Sequence, residues 1–177
     1  MDSFELMQCS GIKLSAGLSV QEFEKIWNVY GICFPVSLKR LFSQGVPIGN
    51  NFYNWHDFSN ENIQKIKMAI IRPKLYIFNH IDELEWLDSR SFSNATAKRE
   101  ESKMQLDKAP MLIPLYGHRY LPMIDALDPP VISVHGFDIV YYGKNINDWI
   151  RNEFLYKNNS ASFSGEMQFV PFWSEIC

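Results

Sequence analysis

The chain has 177 residues, 46% of them apolar and 15% aromatic, with 17 Lys and Arg set against 20 Asp and Glu. A chain of this length buries roughly 70% of its unfolded surface, so a real core is within reach without disulfides or metals, and wholesale disorder is excluded. The net charge of -3 gives no uniform positive field and argues against sequence-independent binding of nucleic acid through its phosphates.

In chain order, Ser19 is followed three residues later by Glu22, and Phe23, Ile26, Trp27 and Tyr30 then recur at helical spacing before Gly31. This predicts a capped amphipathic helix. Pro35 suits the first turn of a second helix, with Leu38, Leu41 and Phe42 on one face and Gly45 at its end. Residues 46–57 carry turn formers and three rings without a period, which predicts an ordered loop. Ser59 can cap a third helix with Ile63, Ile66 and Ile70 on its apolar side, and Arg72-Pro73 is expected to stop it, because a residue before proline avoids the helical region.

After Pro73 the text changes to short runs rich in β-formers, at 75–78, 112–115, 120–124, 131–135 and 139–142. The separators of the last four are short enough for an antiparallel meander. Between the first run and that meander, the charged stretch 94–108 predicts a solvated helix crossing the sheet. Asn145 and Asp148 open another helix, with Ile146, Trp149, Ile150 and Phe154 as its stripe. Residues 157–165 read as a polar loop and 169–173 as a final apolar strand. With no repeat and no interdomain linker, 1–177 is expected to be one α+β domain, an antiparallel β-meander flanked by helices.

The longest apolar stretch, 26–38, is interrupted by Asn28, Gly31 and Pro35 and falls short of the roughly 18 residues a membrane span needs. Asp2 and Glu5 stand where a signal peptide would be basic, so a cytoplasmic location is expected. Cys9, Cys33 and Cys177 are odd in number and lack Cys-x-x-Cys spacing, which fits reduced thiols. Sequons at Asn94 and Asn158 are chance matches in that compartment.

Few residues invite chemistry. His118-Arg119, between two strands, offers acid-base work or phosphate binding; the alternative is that Arg119 pairs with a carboxylate and holds the sheet to a helix. His135 and Asp138 lie three apart across a turn, and His118 or Asp125 would have to complete a metal site. Tyr141-Tyr142 suggests base stacking, but alternation along a strand sends one ring into the core. No phosphate-binding glycine loop and no nucleophile elbow occurs. Charge is sorted along the middle of the chain, with Lys65, Lys67, Arg72 and Lys74 first and then Asp82, Glu83, Glu85 and Asp88 around Trp86. The acids form either an interaction surface or one half of a mutually screened pair of surfaces.

Taken together, the segments resemble the SUKH superfamily, the group of fungal cell-wall assembly regulators (SMI/KNR family) and bacterial immunity proteins. The resemblance spans most of the chain. It is carried by Leu112-Ile-Pro-Leu-Tyr-Gly-His-Arg-Tyr-Leu-Pro122, Pro130-Val-Ile-Ser-Val-His135, Asp138-Ile-Val-Tyr-Tyr-Gly143 and Trp149-Ile-Arg-Asn-Glu-Phe154. Gly17-Leu-Ser, Phe34-Pro35, the Trp55 loop and Phe172-Trp173 agree with it, while 75–88 departs from the family's usual strand bearing aspartate and glutamate.

The resemblance implies an α+β fold and no catalysis; no metal and no cofactor are expected either, because no nucleophile or ligand cluster accompanies His118 and His135. The resemblance also implies a partner: a cognate polymorphic toxin, often a basic nuclease, that an immunity protein binds and blocks inside the producing cell, with no direct contact to nucleic acid or membrane. On this reading His118, Arg119, Tyr120, Asp138, Tyr142, Gly143, Glu153 and Phe154 hold the scaffold, and Arg119 pairs with Asp138 or Glu153. Choice of toxin then falls to surface detail, for which Trp55, Asp82, Glu83, Glu85, Trp86 and Asp88 are the candidates. The competing readings are a regulatory scaffold like the fungal relatives and a small metal-dependent hydrolase using His118, His135 and Asp138.

Overall fold

The structure of the protein, a computed structural model, describes residues 1–156 and 166–176. The expectations for the 157–165 loop, Asn158 and Cys177 therefore lie outside the described residues. Among the described residues, six α-helices accompany a four-stranded antiparallel sheet: α1 (Ser3–Cys9), α2 (Val20–Tyr30), α3 (Val36–Gln44), α4 (Asn60–Asn79), α5 (Ala95–Lys108) and α6 (Ile146–Ile150), with β1 (Leu112–Tyr116), β2 (Arg119–Pro122), β3 (Val131–His135) and β4 (Asp138–Gly143). The fold is α+β, and the strands run as a meander in the order β1-β2-β3-β4.

Local chemistry sets most helix ends. Ser19 and Glu22 form the reciprocal capping box of α2, and Gly31 closes that helix in the left-handed region at φ 67°. Asn94 and Asn145 cap α5 and α6 through their side-chain oxygens. The short α1 goes beyond the helices the sequence pattern predicts: Asp2 and Glu5, which argue against a signal peptide, also make a second capping box.

Two predicted strands are corrected. Residues 75–78 are helical, because α4 continues through Pro73 to Asn79. An interior proline costs about 3 kcal/mol, but Ala69, Pro73 and Ile77 are buried in one line at four-residue spacing, and Ile66 and Ile70 lie beside them. Burying that stripe outweighs the lost hydrogen bond. Residues 169–173 form no strand either. Phe172 sits at φ 67°, and turn bonds link Ser174 N to Val170 O and Glu175 N to Phe172 O, so the segment folds over itself while Phe172 and Trp173 enter the core.

Alternation along the strands splits the interior into two cores. Ile113, Leu115, Leu121 and Val131 face one way, onto α2, α3, α6 and the first half of α4. Leu112, Tyr120, Ile132 and Val134 face the other, against Ile77, Leu106, Phe172, Trp173 and Ile176. The sheet is thus sandwiched between helical layers, which positions everything that follows. Among the described residues no helix is long and apolar enough to cross a membrane.

Candidate functional site

The residues carrying the resemblance are largely consumed inside the fold. Arg119, at the start of β2, donates from Nε to Glu153 Oε2 at 2.8 Å and from Nη1 to Ser133 Oγ at 3.1 Å, and its guanidinium lies 3.7 Å from the Tyr142 ring centroid. Glu153 comes from a π-helical turn, Arg151–Leu155, that continues α6. Of the two carboxylates expected opposite Arg119, Glu153 is the partner; Asp138 makes no ion pair with it and sits exposed at the head of β4. Phe154 packs between Tyr116, Phe52 and Trp149. Tyr141 and Tyr142 point to opposite faces and both are engaged, Tyr141 through its hydroxyl to Gln168 O at 2.9 Å and Tyr142 beneath Arg119.

The acidic segment is a structured loop. Trp86 donates from its indole to Ser102 Oγ at 3.2 Å, meets Phe172 edge-on at 5.8 Å, and carries the Arg90 guanidinium 3.6 Å from its ring centroid. Arg90 in turn binds Asp88 at 2.5 Å and Glu175 at 2.7 Å. These bonds lower the Asp88 carboxyl below its ordinary range, chiefly through the Arg90 side chain. Asp82 pairs with Arg99 of α5. Trp86 is therefore the brace of the loop and only partly exposed. The residues presented outward are Glu83 and Glu85, which form no ion pair among the described residues, and Leu87, which is 64% exposed.

Trp55 leaves the set of surface candidates. At 2% exposure it lies at the centre of an aromatic cluster, 5.1 Å from the Phe34 ring and 5.8 Å from Tyr30. The basic run on α4 does not screen the acids: Lys74 instead caps α5, donating to Ala109 O at 2.6 Å, and burial lowers its pKa. The acids find Arg90 and Arg99.

His118 and His135 do come together, with ring centroids 5.9 Å apart, at the mouth of a cavity of about 210 Å³. Burial, then the charges of Arg119 and His135, lower the His118 pKa, so its ring favours the neutral form. Neither Asp138 nor Asp125 completes a ligand set: among the described residues no three His, Cys, Asp or Glu side chains are grouped so as to hold a metal ion.

Sequence reasoning missed one surface. Helical spacing places Trp27 on the apolar stripe of α2, yet Ile26 and Tyr30 alone are buried there, and Trp27 is 56% exposed. With Phe23, Ile32, Phe34 and Val36 it lines an apolar groove of about 530 Å³ between α2 and α3, with the exposed Cys33 at its edge. The signal lay in the stripe's width, since Trp27 is rotated by one residue from the Ile26–Tyr30 line.

Comparison of the chain with models of known families, with curated proteins and with solved structures finds no match.

Proposed function

We propose that this chain is an immunity protein of the SUKH type, which binds a cognate polymorphic toxin, a basic nuclease domain, in the cytoplasm of the producing cell and blocks it without chemistry of its own. The observation that carries the reading is the braced acidic loop at 81–90. Trp86, Arg90 and Glu175 hold it against α5 and the C-terminal segment, so that Glu83, Glu85 and Leu87 project from a surface whose shape is set in advance. Carboxylates steer a basic partner and an exposed apolar side chain supplies contact area, while a rigid loop loses little entropy on docking. The spending of Arg119, Tyr142, Glu153 and Phe154 on the scaffold supports the same division of labour.

The test is co-expression with the nuclease toxin domain encoded beside this chain. The reading expects protection of the cells and a stable complex, both weakened by Glu83→Lys with Glu85→Lys and both retained in Trp27→Ser, which alters the apolar groove instead. A toxin domain that kills despite the folded wild-type chain, with no complex formed, would overturn it.

A further inference from the structure

We propose that the cavity between α4 and the β2–β3 strands is an anion site that takes a phosphoryl group, recognised by Arg72, His118, His135 and Tyr120.

The cavity sets polar side chains beside the apolar Pro73 and Val134. Arg72 reaches it from α4 and makes no ion pair or hydrogen bond among the described residues. His118 and His135 enter from the sheet side, at the start of β2 and the end of β3, and Tyr120, 1% exposed, lies deeper in the lining. No carboxylate contributes to the lining. A guanidinium, two imidazoles and a phenol thus line one space of about 210 Å³, which is below the 300 Å³ or more typical of whole drug-sized ligands and suits a single oxyanionic group. Several donors of different origin match an oxyanion with acceptors in three dimensions better than they match a planar carboxylate.

The wall is built for the space. Gly136 turns the β3–β4 connection at φ 66°, a conformation that favours glycine, and a Cβ there would crowd the Tyr76 ring at 3.1 Å on the side of the cavity. Tyr76 is held in turn by stacking on His80 at 4.2 Å and by the edge of Phe137 at 5.6 Å. The electrostatics agree with the geometry. Burial, and after it Arg119 and His135, lower the His118 pKa against the opposing influence of Glu153 and Asp138, and burial pushes the Tyr120 phenol up to about 12, which keeps it a proton donor. A bound anion would reverse the first effect and raise the His118 pKa.

The experiment follows the ring protons of His118 and His135 by NMR while inorganic phosphate is added to the whole chain, with chloride used to hold the ionic strength constant. Saturable movement of both signals is expected, with affinity lowered roughly tenfold or more in Arg72→Gln, the loss of one charge-assisted contact. Arg72 is exposed, so an unchanged melting temperature confirms that the variant folds. Ribose 5-phosphate binding more tightly than phosphate would assign a phosphomonoester, and equal binding would assign the free ion. Acetate binding as well as phosphate, unmoved His signals, or equal affinity in Arg72→Gln would each overturn the site.

Discussion

Arg119 Nε lies 2.8 Å from Glu153 Oε2, and this bond ties the start of β2 to the π-helical turn 34 residues further along the chain. The Tyr142 ring closes the guanidinium from a third side. The side chains are 11% and 15% exposed, so removing one leaves the other's charge without its partner in a poorly solvated place. Arg119→Met is expected to cost about 3 to 5 kcal/mol. Adding Glu153→Gln to that variant should recover part of the loss, because the orphaned charge is then gone. Urea unfolding of the three proteins checks both statements, and an unchanged midpoint in Arg119→Met would refute the clamp.

Gly143 ends β4 where α6 approaches most closely. A Cβ there would fall 2.5 Å from Trp149 N and 2.8 Å from Asn145 O, both backbone atoms that cannot swing aside. Gly143→Ala is therefore expected to destabilise the fold by about 1 to 3 kcal/mol, the usual cost of overpacking, even though alanine is otherwise the better helix and strand residue. A melting temperature equal to that of the wild type would contradict the close approach.

Acid sensitivity has an identifiable source at the start of α2. Glu22 accepts from the Ser19 backbone at 2.8 Å and lies 2.6 Å from His56 Nδ1, and these contacts lower its pKa from the ordinary 4.5 to about 2. A depressed carboxylate pKa stabilises the fold above 4.5 and loses that contribution as the pH falls toward 2. Glu22→Gln is expected to flatten the stability profile across this window. Parallel acid-unfolding curves for the two proteins would remove Glu22 as the cause.

The sequence made the elements with local signatures legible. Ser19 with Glu22, Asn94 and Asn145 announce their helices, and the four strands of the meander emerge at 112–142 from β-forming runs between short separators. What was not legible depended on tertiary burial. Pro73 reads as a stop until Ala69 and Ile77 are seen buried on either side of it, and Phe172 and Trp173 read as a strand until Pro171 and the positive φ of Phe172 turn the chain. The candidate site divided in the same way. The motif offers Arg119 both Asp138 and Glu153, and only the fold selects Glu153, while Trp55 reads as a surface candidate until its aromatic cluster is seen to bury it. Nor could sequence pair Trp86 with Arg90 rather than with a partner protein, since that contact rests on Glu175, 85 residues from Arg90.

The acids of the 81–90 loop are not equivalent. Asp82 and Asp88 are neutralised by Arg99 and Arg90, so their fields at a distance are small, whereas Glu83 and Glu85 form no ion pair among the described residues. Steering of a basic toxin domain depends on the unneutralised pair. Glu83→Lys with Glu85→Lys is expected to slow association by roughly an order of magnitude at low salt and to weaken its salt dependence, with folding intact because both side chains are exposed. Asp82→Lys with Asp88→Lys should act differently. It breaks the ion pairs to Arg99 and Arg90 and loosens the loop, so its effect should fall more on dissociation than on association. Stopped-flow kinetics with the cognate toxin domain across a salt series separates the two. Equal association rates in wild type and the Glu83, Glu85 double variant at every salt concentration would place the interface elsewhere, with the Trp27 groove next in line.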